Sequence, residues 1–189
     1  MNDISSNMVS YLFISAFMVM FSTFGLTDFK WDNSPDSLDT IKFNNDENFK
    51  LSENGRVALH NLKKAESYSF MRVGVGGRYS TEYNNFAIIM HEKNAENALK
   101  SLVLNGNTPA QVYGLIGLKI KNPSIIEKLK PSIIKSKKTI EIHGGCTYRD
   151  SKVSLLLFGK NVGSYEWFEQ ELNQRYLWLK NNGKLFQEI

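Results

Sequence analysis

Ala95-Glu-Asn-Ala-Leu-Lys-Ser-Leu-Val-Leu-Asn-Gly-Asn-Thr-Pro-Ala-Gln-Val-Tyr-Gly-Leu-Ile-Gly-Leu-Lys-Ile-Lys121 is the stretch from which the fold is read. Ala95, Ala98, Leu99, Leu102 and Val103 recur at helical spacing. Asn105-Gly106 offers a left-handed helix stop. Thr108-Pro109 then has the form of a cap followed by proline at the first helical position. The second helix runs to about Lys121 and presents Val112, Leu115, Ile116 and the methylenes of Lys119. Leu99 and Leu115 are therefore expected inside the core.

This small-residue helix, tight Asn-Gly turn and Thr108-Pro109-Ala110 start leading into Val112-Tyr113-Gly114-Leu115-Ile116-Gly117-Leu118 resembles one HEAT-type antiparallel helix pair. The resemblance covers residues 95–121 of the chain. One unit is not an array, since at least about three are needed to bury a continuous core. Tyr83–Met90 and Ser124–Lys130 would be its degenerate neighbours. The resemblance implies a scaffolding or binding surface and no chemistry.

Outward from this pair the helical signals continue. Arg56–Ala65 carries Val57, Ala58, Leu62 and Ala65 on one face. Ser80 suits an N-cap ahead of a stripe formed by Tyr83, Phe86, Ala87 and Met90. Asn122-Pro123 starts a helix that Pro131 is expected to interrupt. Ser164 would cap a long helix with Tyr165, Phe168, Leu172, Tyr176 and Leu179 in one stripe, ended by Gly183. Strand signals are fewer. Tyr68–Val75 is short and rich in aromatic and β-branched residues. Thr139–Thr147 alternates in part and turns at Gly144-Gly145. Val153–Phe158 reads as a buried strand or a short helix. The expected class is a mainly α, compact helical, HEAT-like domain with a small β element.

Residues 4–27 carry no charge, and Val9–Phe21 is almost wholly apolar. That fits the hydrophobic region of a signal peptide, with Thr23-Phe24-Gly25 as a small-x-small cleavage site. The region before it lacks Lys and Arg, and Met8–Leu26 nearly reaches the roughly 20 residues of an uncleaved membrane anchor. A buried core helix is the third reading. The chain is thus divided into a leader or anchor at 1–25, a polar Asn/Asp-rich arm at 26–50, and one globular domain at 51–189. Trp31, Leu38, Ile41 and Phe43 are read as anchors of the arm onto the domain surface. An exported location, periplasmic or facing outward from a membrane, follows.

The whole chain has a net charge of +4, and losing Asp3 with a leader leaves 23 basic against 18 acidic residues. This mild excess speaks to solubility more than to a partner. The single cysteine, Cys146, excludes an internal disulfide.

Chemistry is thinly coded. Gly74-Val-Gly-Gly77 fails the dinucleotide pattern because Tyr79 stands at the third glycine. It reads as a turn needing positive φ. His60, His91 and His143 are too far apart for compact metal spacing, so no metal or other cofactor is expected. His143 and Cys146 form the one close pairing of a base with a nucleophile. They would face opposite sides of a regular strand, and a small buried core thiol is the reading preferred for Cys146. Lys119 to Lys138 concentrates positive charge, with Lys128, Lys130, Lys135, Lys137 and Lys138 as the candidate binding surface for an acidic protein or an anionic membrane. Nucleic acid is not expected.

The sequence therefore points to a non-enzymatic binding or interaction protein of the cell envelope, of immunity or scaffold type. A cysteine-dependent hydrolase or transferase using Cys146 and His143 is the alternative.

Overall fold

The computed structural model describes residues 36–43, 48–159 and 165–185. The expected leader, Trp31 and the Ser164 cap lie outside these residues. The described elements run α1 (Glu53–Lys63), β1 (Tyr68–Val73), β2 (Arg78–Tyr79), α2 (Thr81–Met90), α3 (Ala95–Asn105), α4 (Thr108–Lys121), α5 (Pro123–Lys135), β3 (Thr139–Gly145), β4 (Thr147–Lys152), α6 (Val153–Phe158) and α7 (Tyr165–Asn181).

The mainly α class expected from the sequence is corrected to mixed α/β. The strands join in one curled sheet of order β2-β1-β3-β4. The β1–β2 and β3–β4 pairs are antiparallel, whereas β1 and β3 are parallel. A parallel pair needs a long crossover, and here that crossover contains β2 and α2 to α5. The helices thus belong to the connection that builds the sheet. The β element is structural, and the helical pairs are not a free-standing array.

Two helices lie at the centre. Every residue from Tyr83 to Met90 in α2 and from Ala110 to Leu118 in α4 is buried. A helix covered all round belongs in a core. Tyr113 of α4 packs between Phe86 and Tyr68, at ring-centre distances of 5.2 and 4.9 Å. Its hydroxyl accepts from the Ser69 backbone N–H at 3.0 Å and donates to the Ser69 carbonyl at 3.1 Å. One side chain therefore does for β1 what a neighbouring strand's backbone would do.

The α3–α4 pair forms as expected, with Leu99 and Leu115 fully buried. Its close approach depends on glycine. A Cβ on Gly114 would stand 2.7 Å from the Leu99 carbonyl oxygen, and one on Gly117 would stand 2.3 Å from Leu99 Cδ2. The turn differs in detail. Gly106 has φ −96°, so it is not a left-handed stop. It is excluded from bearing a side chain by Ala110 Cβ, 2.3 Å from where its own Cβ would be. Asn107, rather than Thr108, caps α4 by accepting from the Ala110 N–H at 3.1 Å.

Other boundaries follow the same physics. Ser80 caps α2 by accepting from the Tyr83 N–H at 2.9 Å. Pro131 does not interrupt α5, which runs through it to Lys135 with the proline exposed. Val57, expected on the apolar face of α1, is 47% exposed. Leu38 and Ile41 are core residues rather than surface anchors, at 2% and 7% exposure. Their segment is fastened by Asp36, which accepts from the N–H groups of Leu38 and Lys137, each at 2.9 Å. Among the described residues, no helix is long and apolar enough to cross a membrane.

Candidate functional site

His143 lies on β3, and Cys146 stands in the turn that follows it. Strand register places His143 opposite Tyr148 and Gly144 opposite Thr147. Gly145, at φ +57°, and Cys146 make the tip of the hairpin. Cys146 is exposed there, not a small core residue as the sequence suggested. The reason is the tight turn, which ends burial just past the inward-facing Ile140 and Ile142. The His143 ring lies flat on the Tyr148 ring, with centres 4.1 Å apart and planes 14° from parallel. Among the described residues no hydrogen bond joins His143 to Cys146, and no carboxylate orients the imidazole.

The lysine surface divides into structural and exposed members. Lys138 reaches Asp39 at 2.6 Å and Gln111 Oε1 at 3.1 Å. Lys130 lies 3.6 Å from Glu127 and over the Phe158 ring at 5.3 Å. Lys119 donates to the Leu157 carbonyl, and burial pulls its ammonium pKa down. Lys137 uses its backbone N–H to hold Asp36. Lys128 and Lys135 are exposed, two turns apart on α5. The histidines are likewise apart: His60 is exposed, and His91 bonds the Ala87 carbonyl at 2.8 Å and stacks on Tyr176. No group of three His, Cys, Asp or Glu suited to a metal occurs among the described residues.

Ser69, His143 and Tyr148 instead form one row across three strands, since Ser69 pairs with His143 and His143 with Tyr148. This row is one wall of a cleft of about 550 Å³. The end of α1 contributes Asn61 and Lys64, the following connection Glu66, and the start of α2 Thr81, Glu82 and Asn85. Tyr79 and Ser80 also line it. A groove of about 670 Å³ between Phe49–Leu51, α1 and α3 gathers none of the residues selected from the sequence.

Asn85 is the notable member of the cleft. It is 3% exposed and lines the cavity. Its carboxamide has no hydrogen-bond partner among the described residues, whereas its neighbour Asn84 accepts from Arg175 Nε at 2.7 Å. The cleft thus offers one donor–acceptor group on its floor and an exposed aromatic, Tyr148, on its wall. The Tyr83 hydroxyl is buried without a hydrogen-bond partner among the described residues, and burial pushes its pKa up.

Sequence reasoning singled out His143 beside Cys146, and the strand register sets it against Tyr148. It passed over Asn85 and Tyr148. The signal available for Asn85 was two consecutive amides inside an otherwise apolar helical stretch. Tyr148 had none, because its partner is set by hairpin register. No protein-family model, curated protein or solved structure matches this chain.

Proposed function

We propose that this chain is a non-enzymatic interaction protein of the cell envelope that takes a short segment of a partner protein into the cleft floored by Asn85. The carrying observation is Asn85, a residue only 3% exposed that lines the cleft and whose carboxamide makes no hydrogen bond among the described residues. A partner's backbone amide supplies the donor and acceptor that this group lacks. Sites for small organic molecules are lined predominantly by apolar groups. This lining is mostly polar or charged, through Asn61, Lys64, Glu66, Thr81, Glu82 and Asn85, which suits a peptide better. Tyr148 adds an amphipathic ring with little conformational entropy to lose. The α3–α4 pair, with its HEAT-type resemblance, serves as the rigid scaffold. The uncharged residues 4–27 support the envelope location. The cysteine-dependent alternative has less support, because among the described residues no hydrogen bond joins His143 to Cys146 and no carboxylate orients the imidazole.

The test is selection of short peptides by the full chain from a displayed random library, followed by affinity measurement on variants. Asn85→Leu and Tyr148→Ala should each weaken the selected peptides about tenfold or more, the loss of a desolvated polar contact or an aromatic anchor. Unchanged affinity in both variants would remove the cleft as the site.

A further inference from the structure

Arg72, Tyr79, Arg175, Trp178 and Lys184 alternate as cation and ring beside this cleft, which shares Tyr79 with them. The Arg72 and Arg175 guanidinium carbons lie 4.8 and 4.2 Å from the Tyr79 ring centre. Arg175 also lies 4.3 Å from the Trp178 ring centre, and Lys184 Nζ 5.2 Å from it. Arg175 is fixed by donating Nε–H to Asn84 Oδ1 at 2.7 Å. The two guanidinium carbons share one ring, so their distances to it cap their separation at 9.0 Å. Elsewhere the chain pairs cations with carboxylates, as in Lys100–Glu96 and Lys138–Asp39. Among the described residues no carboxylate lies within ion-pair distance of Arg72, Arg175 or Lys184. Three cations are therefore concentrated, with no ion pair of their own among the described residues, at a surface that includes Trp178, 41% exposed.

We infer that this ladder recognises carboxylates of an acidic segment in the partner that occupies the cleft, an inference that rests on the cleft being a partner site. The rings already carry guanidinium groups, so they are poorly placed to stack nucleobases as single-strand binders do. Arg72 Nη2 donates to the Tyr79 hydroxyl at 3.4 Å and Arg175 Nε to Asn84, and the remaining N–H groups of each guanidinium are of the kind that matches a carboxylate. An extended peptide places residues i and i+2 on one side about 7 Å apart, within the span set by the shared Tyr79 ring.

Fluorescence anisotropy on the full chain tests this with four probes: (Glu-Gly)5, (Gln-Gly)5, a ten-residue oligothymidylate, and phosphatidylglycerol vesicles scored by co-sedimentation. The expected result is binding of (Glu-Gly)5 but not (Gln-Gly)5, weakened about tenfold or more at high salt by screening. Arg72→Gln, at an exposed position, and Arg175→Lys, which keeps the charge but loses the fork, should each weaken (Glu-Gly)5 about fivefold or more with melting temperatures near wild type. Equal binding of (Gln-Gly)5, or no effect of either arginine variant, overturns the ladder. Tighter, Arg72-dependent binding of the oligonucleotide or vesicles overturns the acidic-segment assignment. Asn85→Leu separates the two readings. Library-selected peptides weakened by Asn85→Leu and indifferent to both arginine variants sink the ladder and leave the cleft. Acidic binding that needs the arginines and ignores Asn85→Leu supports the ladder and sinks the cleft.

Discussion

Tyr113 holds both backbone groups of Ser69, accepting from its N–H and donating to its carbonyl across 44 residues of sequence. This is the joint between the central helix α4 and strand β1, and it sets the wall of the cleft. Tyr113→Phe keeps the ring packing and removes the hydroxyl. It leaves two buried backbone groups without that partner, so it should lower stability by about 1–3 kcal/mol. Chemical denaturation checks this, and an unchanged midpoint would mean that the joint is dispensable.

Gly114→Ala should destabilise although alanine is the better helix former by about 1 kcal/mol. The added methyl would stand 2.7 Å from the Leu99 carbonyl oxygen, a backbone atom that moves only with its helix. Overpacking of this kind costs about 1–3 kcal/mol. Gly76→Ala meets nothing nearer than 3.9 Å and serves as the control in the same melting experiment.

These two predictions lie on opposite sides of what was legible. The α3–α4 pair could be read from residues 95–121 because caps, turn and apolar period are all local. The sheet was undervalued for equally physical reasons. Thr147-Tyr-Arg-Asp-Ser-Lys152 shows no apolar alternation, since nearly all of it is exposed. The parallel pairing of Tyr68 with Ile142 spans four helices, and no local pattern encodes it. Pro131 was given too much weight, since α5 runs through it to Lys135. Cys146 was misplaced because strand composition does not say where a hairpin turns.

Cys146 sits on that turn, so iodoacetamide should modify the native protein about as fast as the unfolded chain. His143→Ala should not slow the reaction, because the imidazole is stacked on Tyr148 and not bonded to the thiol. Cys146→Ser should leave the melting temperature within the small range usual for surface changes. Mass spectrometry of timed samples reads the rate, and a His143-dependent rate would revive the cysteine-hydrolase reading.

Acid should loosen the segment carrying Leu38 and Ile41. Burial would raise the Asp36 carboxyl pKa, but the Ser136 side chain, the N–H groups of Leu38 and Lys137, and the Lys138 ammonium together hold it below the usual range. Glu96 is also held low, first by its hydrogen bond from Lys100 and, against burial, by Asn122. The folded state then binds these protons less readily than the unfolded state. Their stabilisation is present above the ordinary carboxylate pKa and is lost as pH falls below it and through the lowered folded values. The melting temperature should drop from about pH 5 to about pH 3, and Asp36→Ala should flatten that slope. An identical slope in the variant would show that Asp36 is not the group responsible.

Asn85→Leu should leave stability close to wild type, since it replaces an amide that makes no hydrogen bond among the described residues with an apolar side chain of similar size. Loss of binding together with retained stability is the signature of a residue kept for recognition. A clear loss of stability would place Asn85 in the packing instead.

The most direct measurement is an NMR titration of the full chain with a library-selected peptide, following the Asn85 side-chain NH2 and the His143 and Tyr148 ring resonances. The account predicts that all three shift together and saturate, that the peptide is recovered intact, and that Cys146 stays unmodified. Shifts that bypass Asn85, or a peptide cleaved or transferred to Cys146, would contradict it.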